Sequence, residues 1–342
     1  MSFDDISVLL LWTAIAIYTL GFLAFTVDLA RRSELAIAAQ DAKAKTQART
    51  LVAAGGGQTI DDIRAEEAAA KIALEAAPSQ RGRYLFARLG VVLTTIAWLF
   101  HLGADVTRGI AAGRVPWSNN YEFALTGTLL VVAVFLTALV KYDLRFLGAF
   151  INGLIVVFLG GAALAYYVEV VPLSDPLKSV WLVIHVFVAS LASAFFAIAF
   201  ALSVVQLLQS RRERLALAAV GSDAAPRTRL PFLRTLPSAD VLESLAYRFA
   251  IIGFVLWTFT LIAGAIWAND AWGRYWGFDT KEVWTFVIWV VYAGYIHARA
   301  TRGWRGTRSA WLSIVGFTSV LFNFTIVNQF FKGLHSYSGL SS

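Results

Sequence analysis

The chain has 342 residues, 58% of them hydrophobic and only 15% charged, with a formal net charge of +7 and a mean hydropathy of +0.65. Soluble domains carry roughly 25% charged residues, so this composition describes a membrane protein and excludes an ordinary soluble enzyme. There is no cysteine, which excludes disulfides, thiolate metal sites, iron–sulfur clusters and cysteine nucleophiles; any thiol in its chemistry belongs to a partner or a substrate.

The N-terminus, MSFDDISVLL, lacks a basic leader and a small-residue cleavage signal, and reads as a retained first span. That span runs from about Ile6 to Leu29 and stops at Arg31-Arg32. Residues 33–83 follow as an alanine-rich insert of mixed charge, broken by Gly55-Gly56-Gly57 and ended near Pro78. Span two is expected over Tyr84–Val106 and contains His101. The loop after it holds Arg114, Trp117, Asn119, Asn120, Tyr121 and Glu122, with turn formers at its centre. Spans three and four cover Phe123–Val140 and Phe146–Tyr167, and span five begins at Val180 with His185 about one and a half turns inside it. A polar, proline-bearing segment leads to span six, Phe249–Ile266; span seven covers Trp284–His297 and span eight Ser309–Phe331. Each apolar run is near the ~20 residues that cross a bilayer, except the seventh, which must extend past one of these limits.

The pattern predicts an all-α, polytopic membrane protein of about eight transmembrane helices. Its parts are a first span (1–32), the insert (33–83) and a seven-span membrane domain (84–342). Segments 30–88, 141–145, 211–248 and 299–308 hold 10, 2, 7 and 4 of the 29 lysines and arginines. The positive-inside rule makes these segments cytoplasmic, so both termini, the 111–122 loop and the segment between spans six and seven are extracytoplasmic. Basic residues gathered on one membrane face account for the net charge, and no nucleic-acid partner is expected.

The segment between spans six and seven is the most unusual stretch. Residues 266–284, IWANDAWGRYWGFDTKEVW, carry Trp267, Trp272, Trp276 and Trp284 beside Arg274, Asp279, Lys281 and Glu282. One or two tryptophans fit an interfacial belt. The whole cluster reads better as a platform for a large, flat, apolar ligand. The acids at Asp279 and Glu282 also suit the first turn of a helix. Glu122, Asp270, Asp279, Lys281 and Glu282 are candidates to orient a histidine or a ligand carboxylate, and the outer-face cations Arg114, Arg274 and Lys281 to pair with such carboxylates; surface ion pairing is the plainer alternative.

Four histidines exist: His101, His185, His297 and His335. A lone membrane histidine can simply hydrogen-bond a neighbour. His185 and His335, however, flank the tryptophan-rich segment on the same face. Two neutral imidazoles from opposite sides would ligate a haem iron, with indoles bracketing the porphyrin. Zinc would need further ligands and leaves the aromatic setting unexplained. His101 and His297 would form a second pair within the membrane, although their expected depths differ by roughly 10 Å at ~1.5 Å per residue.

The run WGRYWGFDTKEVW (272–284) resembles the tryptophan-rich signature of haem-handling proteins of cytochrome c maturation, and more narrowly the CcsA (ResC) subunit of the System II cytochrome c synthase. PWSNNYEF (116–123) resembles that family's outer loop, with Trp117, Asn119, Asn120 and Tyr121 as its substrate-facing residues, and NQFFKGLHSY (328–337) its terminal histidine segment. The resemblance implies that His185 and His335 are the axial ligands of haem b at an outer site. It implies that His101 and His297 belong to a membrane site met by haem coming from the cytoplasm. It also implies a CcsB (ResB) partner, a thiol-reductant pathway, and an apocytochrome c whose Cys-x-x-Cys-His thiols receive the haem vinyl groups. Such a protein sits in the plasma membrane with its active site on the extracytoplasmic face. Only one half of the synthase is present, so attachment would need the partner, and no catalytic acid or base is singled out. A haem or amphipathic-ligand transporter and a di-haem electron-transfer protein are the alternative readings. No inverted repeat speaks for the first, and His335, in a Gly/Ser-rich tail, suits an exchangeable ligand better than the permanent haems of the second.

Overall fold

A computed structural model describes residues 1–55, 84–170, 178–218, 230–301, 304–331 and 333–334. Eight long helices organise them: α1 (Phe3–Gly55), α2 (Leu85–Ala112), α3 (Asn120–Lys141), α4 (Gly148–Ala165), α5 (Val180–Ala218), α6 (Ala239–Trp272), α7 (Thr280–Ala300) and α8 (Thr307–Phe322). Short 3₁₀ turns precede α4 (Arg145–Leu147) and α6 (Pro231–Thr235), and α8 continues through a π turn, Asn323–Val327, into Asn328–Phe330. Among the described residues, seven of these helices are long and apolar enough to cross a membrane. The protein is therefore an all-α, multi-pass membrane protein. The remaining helix, α7, has 21 residues, a length of roughly 31 Å at ~1.5 Å per residue, and is more polar than the others. It is longer than the expected span seven at both ends, which supplies the length that span lacked.

Several helices outrun the spans expected for them. α1 passes through Arg31-Arg32 without a break and reaches Gly55. α5 continues to Ala218, and α6 starts at Ala239, ten residues ahead of the expected apolar edge. The reason is physical: charge ends a membrane span, whereas Ala, Leu, Glu, Lys and Arg remain good helix formers and let the helix run on. The later part of the alanine-rich insert, 56–83, lies outside the described residues.

Helix ends follow local rules. Asn119 caps α3, its Oδ1 accepting the Glu122 amide at 2.9 Å. Gly113 and Gly273 stop α2 and α6 with φ of 63° and 70°, a left-handed conformation that glycine adopts without penalty. α7 opens with a reciprocal capping box between Asp279 and Glu282.

The most extensive helix–helix contacts are α1–α2 and α5–α6. α1 also packs on α4, and α3 on α2 and α4, which makes α1–α4 one half of the bundle. α8 packs on α5 and α7, and α7 on α6, which makes the other. α3 against α5 is the seam between the halves, and the Pro231–Thr235 turn lies against α1. Close approach depends on missing side chains: Gly90 of α2 and Gly148 of α4 both face the Phe25 ring, where a Cβ would meet ring carbons at 2.9 and 2.5 Å.

Candidate functional site

The helix ends at one side of the bundle are tied together by buried charge. The Arg108 side chain, at the end of α2, is wholly buried and donates to Asp4 of α1 at 2.6 Å, to Glu122 of α3 at 3.1 Å and to the Val168 carbonyl at 2.6 Å. Glu122, also fully buried, accepts in addition from Arg114 at 2.7 Å and from the Ser118 amide and hydroxyl at 2.9 and 3.0 Å. Arg114 and Glu122, expected near a ligand, are thus bound to each other, and they fold the 114–119 loop onto α3. Asn119 uses its Oδ1 for the α3 cap. Tyr121 packs edge-on against Tyr167 at 5.3 Å. Of the expected loop residues, it is Trp117 that reaches the interior cavity.

That cavity lies along the seam, walled by α3, α4, α5, α6, α7 and α8, with an open mouth and about 230 Å³ of room for water-sized groups. Its lining is largely apolar. His185 faces it from α5, with Trp117, Trp257 and Trp267 around it and Lys281, Asn323 and Asn328 on the α7–α8 wall. The His185 Nδ1 lies 3.0 Å from the Thr260 carbonyl of α6. A carbonyl only accepts, so Nδ1 carries the proton and the ring's lone pair is on Nε2, the tautomer a metal-binding imidazole uses. The ring stacks on Trp267, with centroids 5.8 Å apart and planes inclined by 17°. Gly264 makes room for it, because a Cβ there would come within 2.7 Å of the imidazole.

The four tryptophans of the 266–284 stretch do not share one face. Trp267, at 2% exposure, lines the cavity, and Trp272 meets it edge-on at 4.8 Å. Trp284 packs on Phe322 of α8 at 4.4 Å. Trp276 is exposed, against Phe278 and Phe286. The segment between α6 and α7 is held by Glu282, which accepts from the amides of Gly277 at 2.8 Å and Asp279 at 3.2 Å. Arg274 folds back over Gly277, occupying the place a Cβ would take, and reaches within 3.9 Å of Glu282. Phe278 is left-handed, with φ of 56°, and 80% exposed.

The C-terminal tail arrives at this segment. The Leu334 amide donates to Asp279 at 3.2 Å, and Gly333 packs so closely on the same carboxylate that a Cβ would overlap it. His335, the next residue, lies outside the described residues.

Residues 117–335 match the family described as Cytochrome C assembly protein. The chain is also 34% identical over 293 residues to a cytochrome c biogenesis protein CcsA from Synechococcus elongatus, covering 76% of this chain and 89% of that protein. It is 35% identical to the CcsA protein of Guillardia theta over 278 residues, 74% and 91% of the two chains, and 32% identical to that of Gloeobacter violaceus over 298 residues, 75% and 88%. This chain belongs to the cytochrome c assembly protein family. Its place is in cytochrome c biogenesis. The match to the family starts at Trp117, the first residue of the cavity wall, and takes in the tryptophan-rich segment and the tail.

His101 lies outside the matched stretch and in other surroundings. It is fully buried between α1 and α3, its Nε2 donating to the Leu125 carbonyl at 3.0 Å and its Nδ1 facing the Tyr18 hydroxyl at 3.4 Å. His297 is exposed near the end of α7. α2 packs on α1, α3 and α4, while α7 packs on α6 and α8. The structure therefore does not bring these two histidines into one site. Three contributors escaped the sequence reading. Arg108 reads as a plain loop-end charge, and its partner Asp4 is 104 residues away. Asn328 is an ordinary amide in an apolar run. Thr260 acts through its carbonyl, which no side-chain pattern reports.

Proposed function

We propose that this chain, a cytochrome c assembly family member, binds haem b in the seam cavity and passes it to an apocytochrome c for covalent attachment. His185 supplies one axial ligand through Nε2, and His335, carried in by the tail docked on Asp279, supplies the other. The observation that carries this reading is the setting of His185: a tautomer held by Thr260, a ring stacked on Trp267, and an open-mouthed apolar cavity in front of it. Three indoles and a histidine beside an open, apolar space fit a porphyrin and give small hydrophilic ligands little to bind. Among the described residues no cluster of three metal-ligating side chains competes for a bare ion.

The residues then divide the work. Trp117, Trp267 and Trp257 exclude water from the porphyrin faces and, with His185, set its plane. Trp272 braces Trp267. Asp279 and Glu282 hold the connector between α6 and α7 and keep the tail near the cavity mouth. Holding the vinyl group beside a reduced thiol supplies much of the rate of thioether formation. An exchangeable ligand on a tail allows the histidine of a Cys-x-x-Cys-His motif to take the iron as the product leaves. A CcsB-type subunit and a thiol-reductant pathway complete the reaction on the extracytoplasmic face of the cell membrane, the side the Lys/Arg bias favours. His101 and His297 stay outside the site built here.

The test is covalent attachment. Co-expressed with a CcsB-type partner and a Cys-x-x-Cys-His apocytochrome, the chain should yield haem-staining cytochrome on a denaturing gel, and His185→Ala should remove most of it. Equal cytochrome yields from wild type and the variant, at equal membrane abundance, would refute the assignment.

A further inference from the structure

The seam cavity has one polar wall, and its chemistry faces a ligand acid. Among the described residues that line it, Lys281 is the single charged side chain. Its Nζ donates to a neutral amide oxygen, Asn328 Oδ1, at 2.6 Å, and Asn328 in turn donates to Asn120 of α3 at 3.3 Å. The ammonium sits 5.8 Å from the Phe123 ring, whose neighbours include Trp117, Leu182 and Trp267. The Asp279 carboxylate, at the cap of α7, is near enough to act on this ammonium through space; in direct contact the ammonium has an amide, which supplies only part of what water would. A second donor on this cavity is unsatisfied. Trp117, 8% exposed, has a buried indole N–H without a hydrogen-bond partner. Natural interiors rarely leave such a donor unpaired, and an acceptor on a ligand is one thing that satisfies it.

We infer that Lys281, with the Trp117 indole N–H as a second donor, is the acid-recognition point of the cavity, so that the ligand is a carboxylate-bearing apolar molecule held by its acid edge. This rests on the haem reading and sharpens it. Propionates and vinyl groups occupy different edges of protoporphyrin. Anchoring a propionate on the α7–α8 wall orients the ring and turns the vinyl edge away from that wall, where a thiol can approach. The site then selects for free carboxylates and against porphyrins that lack them. The other buried cations of this end, Arg108 and Arg114, are bound to Asp4 and Glu122, and Arg274 lies outside the cavity lining. The role falls to Lys281.

The experiment is a titration of the purified full chain with iron protoporphyrin IX and, separately, with its dimethyl ester, followed by absorption. Wild type should prefer the diacid by roughly tenfold or more, the scale of one charge-assisted hydrogen bond. Lys281→Met should weaken the diacid by about tenfold and leave the ester unchanged, erasing the preference, while Lys281→Arg should keep it. Binding of both porphyrins through His185 without preference, or an equal loss of both in Lys281→Met, overturns acid recognition and leaves the haem reading standing. Failure of wild type to bind either porphyrin overturns both.

Discussion

The imidazole of His185 and the indole of Trp267 lie face to face, 5.8 Å apart and 17° from parallel, across the joint between α5 and α6. The Thr260 carbonyl, two turns before Trp267 on α6, holds Nδ1 at 3.0 Å. One helix thus supplies both the orienting acceptor and the stacking surface, and its Gly264, between them, leaves the space the ring fills. The histidine is held by partners within the protein, and that placement would lower the entropic cost of ligation there.

Gly264→Ala follows directly. The new methyl would meet His185 Cε1 and Nδ1 at 2.7 and 2.8 Å, so the ring must leave its bond to Thr260. Alanine suits the helix, and the overpacking cost of about 1–3 kcal/mol falls on the imidazole. Haem affinity should drop about tenfold for each ~1.4 kcal/mol lost while the protein stays folded. Titration beside circular dichroism checks both. Undiminished affinity would mean that the ring's position is immaterial.

The Arg108–Glu122–Arg114 cluster gives a stability prediction. Removing one member of a buried charge network costs about 3–5 kcal/mol, because the partners stay behind uncompensated. Glu122→Ala should lower the unfolding temperature in detergent sharply, and Glu122→Gln, which still accepts from the arginines, should lower it less. Similar effects from the two would show that shape matters here and charge does not.

Asp279 has two duties that can be separated. Asparagine caps a helix about as well as aspartate, whereas alanine forfeits about 1 kcal/mol. Asp279→Asn should therefore keep α7 intact and still accept from Leu334. Asp279→Ala should loosen the tail, weaken the bis-histidine spectrum and respond to added imidazole. An unaltered spectrum in Asp279→Ala would separate the tail's docking from haem ligation.

Phe278 is held at φ 56° and exposed. A left-handed backbone costs a non-glycine residue roughly 1–2 kcal/mol, and glycine's extra chain entropy offsets part of that. Phe278→Gly should raise the thermal midpoint by the equivalent of about 0.5–1 kcal/mol. A lowered midpoint would mean that the contact with Trp276 outweighs the strain.

The architecture was legible because apolar runs long enough to cross a bilayer are hard to hide, and because Asp279 and Glu282 obey capping rules that act within one turn. The ends of α1, α5 and α6 were not, since the alanine and charged residues that end a span do not end a helix. The site was legible where it is written in rare residues: His185 and the tryptophans stand out in any reading. Their division was hidden, because whether Trp284 faces a ligand or Phe322 depends on where α8 passes. The same holds for His101, whose contact with Tyr18 spans 83 residues, and for Arg108, whose burial needs α1 and α4 to arrive from far along the chain.

The most direct test of haem ligation at the seam is the dithionite-reduced absorption spectrum of the purified protein beside His185→Ala and His335→Ala. Haem held by these two histidines predicts a bis-histidine b-type spectrum in the wild type, weakened or shifted in both variants and restored by added imidazole. A colourless wild type with haem supplied and its partner co-expressed, or spectra unchanged in either variant, would contradict it.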